Sequence, residues 1–390
     1  MAGSGNPIGG PRPEKIARAF SVAVALLAAG TVIAIIALWP GDVDAPVSEG
    51  LAGDTERATI DSVTYEACPP PQTGRCGTAE ARLEDGPDEG ELTTLTLGGA
   101  GLEPELAPGD EVRVARAEGG PTATATYTLA DFERRGPMLW LAVVFAALVV
   151  LFGRLRGALS LVGLAISLAV VVAFIVPAIL DGAAPLVVAI VGSMAIMLAT
   201  VSLAHGIGPK SLAAMLGTAV SLALVALLAL AFTNLAHITG LSSEEAAILL
   251  QGGADVSLDG LLLAGIVIAA LGVLDDVTVS QSSTVLALRA ANPRLGFREL
   301  YGAALRVGRD HVSATVNTLV LAYVGASLPL LLIFSSGEIG IVDAVSTELI
   351  AKEVVGTLVG SIGLIAAVPI TTALAALLAP GAAADRASTA

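Results

Sequence analysis

Long uncharged runs alternate with short charged segments along most of the chain, and they predict membrane-spanning helices. Seven runs contain no Asp, Glu, Lys or Arg, and an eighth is apolar except for two aspartates. Each run approaches or exceeds the roughly 18–20 residues with which a helix crosses a ~30 Å hydrocarbon layer. The pattern therefore predicts eight transmembrane helices, at Ala19–Gly41, Gly136–Gly153, Gly157–Leu180, Gly182–Pro209, Ser211–Ser243, Gly260–Leu288, Val312–Gly337 and Val354–Ala384.

The first run is predicted to be a signal anchor. Lys15 and Arg18 precede it, but its apolar core is longer than the usual h-region of about 7–15 residues. Basic side chains favour cytoplasmic loops. With the N-terminus inside, twelve basic residues lie in inner segments, and the short outer loops hold only Lys352. Both termini are therefore predicted to be cytoplasmic, with the protein in a bacterial plasma membrane.

Between the first two spans the pattern changes to short β-rich runs separated by Pro/Gly-rich or acidic turns. Five such runs in about 75 residues predict a small barrel of the OB-like kind outside the membrane. The predicted strands are Arg57–Glu66, Thr78–Leu83, Glu91–Leu97, Glu111–Ala117 and Thr122–Leu129.

Cys68 and Cys76 are the only two cysteines, and both lie in this outer segment. Oxidation is permitted outside the cell, so we expect a disulfide between them, with two free thiols as the alternative. A metal site is not expected, because two thiols do not fill a tetrahedral shell and no histidine lies nearby.

The expected fold is thus an α-helical polytopic membrane protein with a small extracytoplasmic β-barrel-like domain. The predicted parts are a cytoplasmic N-terminus at 1–18, the signal anchor at 19–40, the outer domain at 41–136, a seven-helix transmembrane core at 137–379 and a cytoplasmic tail at 380–390.

Composition and charge agree with this class. The chain is 55% hydrophobic and only 14% charged, against roughly 25% charge in soluble domains. Between Gly41 and Gly136, 20 acidic residues oppose seven arginines, so this segment carries −13 of the net −15. Such acidity argues against nucleic acid as a partner. No P-loop, His-Glu-x-x-His, Gly-x-Ser-x-Gly or nucleotide fingerprint is present, so neither an enzyme nor a cofactor is expected.

Asp275 and Asp276 carry the candidate chemistry, because they lie near the middle of an otherwise apolar run. An ionised carboxylate at that depth costs about 2.5–3.5 kcal/mol. The carboxyl group is easily buried when it is protonated, and it requires a cation or a polar partner when it is ionised. A residue that couples transport to proton movement needs both properties. Two alternatives remain: a structural pair facing a water-filled crevice, or a helix that ends early and leaves both acids at the inner interface.

The next predicted helix offers polar partners for such a relay. His311, Thr315 and Thr318 have i, i+4, i+7 spacing and share one helix face, and Asn317 lies close by. In the last span, Gly356 and Gly360 form a Gly-x-x-x-Gly pattern with Gly363 about one turn further. Small residues at this spacing predict close helix packing.

Several segments resemble the YibE/F family of multipass membrane proteins. They are Gly272–Ser283 (GVLDDVTVSQSS), Gly308–Leu331 (GRDHVSATVNTLVLAYVGASLPLL), Glu348–Ala373 (ELIAKEVVGTLVGSIGLIAAVPITTA), Tyr127–Arg135 and Gly153–Ser160. The resemblance runs from about Arg57 to Leu378. It implies the multipass topology but no activity. The acidic helix of the family often carries one Asp followed by Val, which matches Asp276–Val277.

A more distant resemblance is to resistance-nodulation-division transporters and the SecDF protein-export factors. Gly272–Asp276 (GVLDD) is similar to the Gly-x-x-x-Asp-Asp pattern of the drug pumps. The resemblance implies proton coupling at the aspartates. This chain differs in its much smaller outer domain and in two extra helices before the acidic one.

These observations predict a proton-coupled secondary transporter or translocation factor with Asp275 and Asp276 as the relay, of which Asp276 is the first candidate because it matches the family pattern. A non-transporting scaffold or subunit that recruits envelope proteins through its outer domain is the main alternative, and a channel or ion sensor is another. The expected partners are the lipid bilayer, an unknown small substrate or ion, and an envelope protein or further subunits of a homo- or hetero-oligomer.

Overall fold

The computed structural model describes residues 13–41, 55–68, 75–98, 105–117, 126–242, 244–251, 256–337 and 340–379. The predicted tail at 380–390 and part of the predicted N-terminus lie outside these ranges. The chain divides into a sheet unit, Ala45–Phe152, and a helical unit made of Met1–Asp44 and Gly153–Ala390.

The sheet unit contains one antiparallel sheet of five strands in the order β3-β2-β1-β4-β5. The predicted small β-rich domain is therefore confirmed. The sheet curls so that its edge strands approach each other, but no ladder closes it within the described ranges, and a closed barrel is not confirmed. The strands are β1 (Thr55–Ala67), β2 (Arg75–Leu83), β3 (Leu92–Leu97), β4 (Glu111–Ala117) and β5 (Thr126–Phe132).

Alternating side chains of these strands build an apolar core on one face of the sheet. Its buried members include Ile60 on β1, Leu83 on β2, Leu95 on β3 and Val112 on β4. This is the period-2 pattern expected of a sheet with one buried face. The predicted disulfide is confirmed, because Cys68 after β1 is bonded to Cys76 on β2 and links the two strands at one end of their hairpin.

The rest of the described chain is helical. A helix at Arg135–Val170 continues through one π-helical turn, Val171–Ile175, into a short helix. The helices are α1 (Pro13–Ala37), α2 (Arg135–Val170), α3 (Val176–Leu180), α4 (Pro185–His205), α5 (Pro209–Leu235), α6 (Glu244–Gln251), α7 (Leu258–Ala291), α8 (Phe297–Ala326), α9 (Leu328–Ser336), α10 (Ile341–Ser346) and α11 (Glu348–Leu378).

Six helical segments in the described ranges are long and apolar enough to cross a membrane, or seven if α8 and α9, which meet at a 61° bend, form one broken span. The protein is therefore a helical membrane protein, while the predicted number of eight is not confirmed. The predicted second and third spans fall in one 46-residue segment, Arg135–Leu180. That segment breaks at Arg154, whose φ of 52° is non-helical, at the charged residues that the sequence pattern read as a loop.

The core of the helical unit lies where α5, α7 and α11 pack against one another. Buried Leu222 on α5, Leu274 and Val267 on α7 and Val359 on α11 belong to the same apolar cluster. α4 packs on α5 and α7, and α8 packs on α7 and α11. The acidic helix α7 is therefore central in this unit, in contact with α4, α5, α8 and α11.

Candidate functional site

The two aspartates lie together at the middle of α7, the longest helix that lies wholly in the helical unit, with 34 residues. Ser257 caps its N-terminus by accepting a hydrogen bond from the Gly260 amide at 3.1 Å. Successive residues on a helix point about 100° apart, since 3.6 residues make one turn. The two carboxylates therefore face different surroundings: Asp275 is half-buried in the bundle, whereas Asp276 is exposed on its surface.

Asp275 is held next to α4. Its side chain interacts with Thr200, while the Thr200 hydroxyl donates to the carbonyl of Ile196 at 2.8 Å. The Oδ1 atom of Asp275 is buried and has no hydrogen-bond partner among the described residues. A buried, unpaired carboxylate oxygen is unfavourable when the group is ionised, so the surroundings of Asp275 favour the protonated acid.

A row of buried polar groups follows Asp275 along α7. The Oγ1 atom of Thr278 lies 3.1 Å from the Asp275 carbonyl oxygen and 2.7 Å from Oγ1 of Thr218 on α5. One turn further, Nε2 of Gln281 donates to Oγ1 of Thr372 on α11 at 2.7 Å and to the Ala304 carbonyl on α8 at 3.0 Å. We call these residues the polar seam: Asp275, Thr218, Thr278, Gln281 and Thr372.

Further hydroxyls beside the seam are buried without a partner. They include Ser221, one turn from Thr218 on α5, and Thr371, which adjoins Thr372 on α11. Gly217 on α5 lies directly against Thr371, so any larger residue there would collide with its side chain. Buried polar groups are normally satisfied by protein or ordered water. Hydroxyls of this kind can exchange protons with such water.

The predicted relay partners lie on the exposed side of α8. His311, Asn317 and Thr318 are exposed and Thr315 is half-buried, and both threonine hydroxyls bond to carbonyls of their own helix. In the described parts of the chain, no hydrogen bond or ion pair joins these four residues to either aspartate. The relay assignments stay predictions.

A different face of α8 packs against α7. Val312, Val316 and Leu319 contact the cluster that contains Val277 of α7 and Val368 of α11. These positions are offset by about one residue, and hence about 100°, from the predicted polar face. The preference of apolar side chains for the helix contact therefore turns His311 and Thr318 outwards.

The glycines predicted to allow close packing differ in their surroundings. Gly363 lies directly against Val225 of α5, so a side chain there would collide. At Gly356, a Cβ atom would be 3.6 Å from Cγ1 of Ile266 on α7, and at Gly360 no atom lies within 4 Å. The helices α11 and α5 therefore approach each other closely at Gly363, whereas Gly360 borders open space.

That open space belongs to a crevice between the N-terminal parts of α7 and α11 and the C-terminal part of α8. A small void is lined by residues that include Val273, Leu319 and Gly360. Tyr323 and Thr357 line both this void and a larger cavity of about 330 Å³, which also contains Glu353 and Ser327. Within the described residues, no group of three or more His, Cys, Asp or Glu side chains is placed to hold a metal ion.

Sequence reasoning did not identify Gln281, Thr278, Thr218 or Thr372. Thr278 and Gln281 follow Asp275 at i+3 and i+6, so a search for polar positions along the acidic face of α7 could have found them. The charge-free criterion used for the spans ignores uncharged polar residues. The partners on α5 and α11 have no comparable signal, because their proximity depends on how the helices pack.

Comparison with known proteins supports the resemblance in the C-terminal two thirds of the chain. The family model described as YibE/F-like protein matches residues 141–381, which is more than half of the 390 residues. The match includes the whole of α4 to α11 and thus both aspartates and the polar seam. No curated protein and no solved structure matches the chain.

Proposed function

Since the chain belongs to the YibE/F family, we propose that it is a proton-coupled secondary transporter or translocation factor in which Asp275 carries the proton. The supporting observation is the Oδ1 atom of Asp275, which is buried at the middle of a membrane helix without a hydrogen-bond partner. Asp276 has the weaker claim to this role, because it faces away from the bundle interior.

The proposed coupling acts through the contact between α4 and α7. When Asp275 is protonated, its side chain is neutral and is tolerated beside Thr200. When the proton leaves, the carboxylate requires water or a cation, and α4 and α7 separate to admit it. A burial penalty of about 2.5–3.5 kcal/mol corresponds to a population shift of roughly 100-fold, which would move the balance between two packings of the bundle from about 1:10 to about 10:1.

The polar seam provides the path for protons on the inner side of Asp275. Thr278 and Gln281 extend from it towards the C-terminal end of α7, which is the cytoplasmic end if the termini lie inside. In this proposal, the proton reaches Asp275 where α4 and α7 separate and leaves along the seam.

An infrared pH titration of the purified protein in reconstituted membranes tests the proposal without a known substrate. We expect a protonated-carboxyl band at neutral pH that is absent in Asp275→Asn and present in Asp276→Asn, which is the matched control one residue away. A spectrum in which all carboxyls titrate near pH 4, like exposed side chains, would contradict the proposal. The scaffold alternative would then be the better account.

A further inference from the structure

One face of α7 is exposed on the surface of the helical unit. Its exposed residues are Gly265, Ala269, Gly272 and Asp276, with i, i+4, i+7, i+11 spacing. No atom lies within 4 Å of a Cβ position built at Gly265 or Gly272. This α7 surface face is therefore a narrow stripe of small residues that ends in a carboxylate at the middle of the helix.

Asp276 is unfavourable in a bilayer unless another group pairs with its carboxylate. Within the described residues it has no hydrogen bond or ion pair, and its side chain is exposed. A carboxylate at the centre of a membrane helix is unfavourable, and such groups normally face other protein, a cation or water. The residues on the same face are apolar and small, so they do not line a polar channel.

His311 on the neighbouring helix α8 lies at about the same level as Asp276 on α7. Gln281 of α7 lies beside Ala304 and Gly308 of α8, and Val273 shares a void with Leu319. These two contacts show that the helices run antiparallel. Because each residue advances 1.5 Å along a helix, they place Asp276 at about the level of residues 311–315.

The exposed surface at this level is therefore polar on both helices. His311 is exposed on α8, as are Asn317 and Thr318 about two turns further along. An acid and a base on one surface are complementary to the same surface rotated by 180°. In a two-fold interface, residue i of one copy contacts residue j of the other and j contacts i.

We propose that a second copy of this chain packs on the α7 surface face and the adjoining exposed side of α8. In this dimer, Asp276 of each copy lies against His311 of the partner subunit. Gly265, Ala269 and Gly272 allow the helices to approach closely, as small residues do at helix contacts in membranes. The proposal does not rest on proton coupling, because Asp275 faces the interior of its own bundle.

Cysteine cross-linking in native membranes tests the contact. Cys68 and Cys76 are bonded to each other, so a Gly272→Cys variant of the full chain carries a single reactive thiol. On oxidation we expect most of this variant to run as a dimer on a non-reducing gel. Leu227→Cys, at a position on α5 that is 67% exposed, is the control, and we expect it to cross-link less than a tenth as much. Equal cross-linking of the two variants, or none in either, would overturn the proposal.

The charge pair is tested by energy transfer between labelled copies diluted into liposomes. We expect Asp276→Asn and His311→Gln each to weaken dimerisation by at least tenfold, and the double variant to be no weaker than the single ones. Non-additivity of this kind identifies residues in contact. Additive effects, a monomer at every lipid dilution, or cross-linking of Gly272→Cys only to a different protein would each overturn the dimer.

Discussion

The two units of this protein differ in how their charged groups are paired. In the sheet unit, Arg57 is paired with Asp85 at 2.9 Å and Arg116 with Asp88 at 3.3 Å around an apolar core, although Oε2 of Glu56 is buried there without a hydrogen-bond partner. In the described part of the helical unit there is no ion pair, and buried atoms such as Oδ1 of Asp275, Oγ of Ser221 and Oγ1 of Thr371 have no hydrogen-bond partner. Meanwhile large apolar side chains such as Leu227, in α5, are exposed.

The surrounding solvent explains why large apolar side chains are exposed in the helical unit. A unit surrounded by water gains stability by burying apolar area, whereas a unit surrounded by lipid can expose it without loss. The solvent does not explain the buried polar atoms that have no hydrogen-bond partner, because such atoms are unfavourable in a protein surrounded by water and in one surrounded by lipid. Polar groups that reduce stability and are nevertheless present mark the candidate site. Three substitutions test this difference between the units.

The largest expected effect is in the core of the sheet unit. Ile60 is 1% exposed, and replacing a buried isoleucine with alanine costs about 2–5 kcal/mol, through lost apolar contact and the cavity left behind. We expect Ile60→Ala to lower the free energy of opening of β1 by this amount, measured by hydrogen exchange on the full chain. Leu92→Ala is the control, since Leu92 is 58% exposed, and a loss as large there would contradict the assigned core.

A smaller effect of the opposite sign is expected in the helical unit. Asp275→Leu replaces a carboxyl that has an unpartnered buried oxygen by an apolar side chain, so we expect the unfolding free energy in detergent to rise by about 1–3 kcal/mol. Denaturant titration measures it, with Ala287→Leu as the control, because it adds an apolar side chain at an exposed position of the same helix. Destabilisation by Asp275→Leu would show instead that this carboxyl is structurally paired, and the contrast between the units would fail.

The smallest effect concerns pH and the surface of the sheet unit. Hydrogen bonds from the Arg57 side chain and amide hold the pKa of Asp85 below its usual value. A lowered folded-state pKa contributes stability that is present above the unfolded value, near pH 3.9, and is lost as pH falls through the folded value. We expect the sheet unit to weaken below about pH 4.

Asp85→Asn should remove part of this acid sensitivity, which hydrogen exchange at several pH values detects. The effect is expected to be small and to shrink in high salt, because the pair is largely exposed. Glu91→Gln, at another exposed acidic position of the same unit, is the control. Unchanged acid sensitivity in Asp85→Asn would show that other carboxyls govern it.

Elements with strong local patterns could be predicted before the structure was known. Uncharged runs located the membrane helices, because the bilayer requires an apolar length that a sequence window measures directly. Alternation located the five strands, and two cysteines in one outer segment predicted the Cys68–Cys76 bond. The helix count was less predictable, because the chain between Arg135 and Leu180 changes direction at Arg154 without leaving the helical state on either side.

The sequence by itself determined that this is a YibE/F-like membrane protein with an acidic pair in one helix, because composition and motifs are properties of the chain alone. Only the tertiary structure decided that Asp275 faces the bundle and Asp276 its surface, and that Gln281 joins α7 to α8 and α11. Neighbouring residues on a helix differ by 100° in direction, and which direction is interior depends on the helices that pack around it.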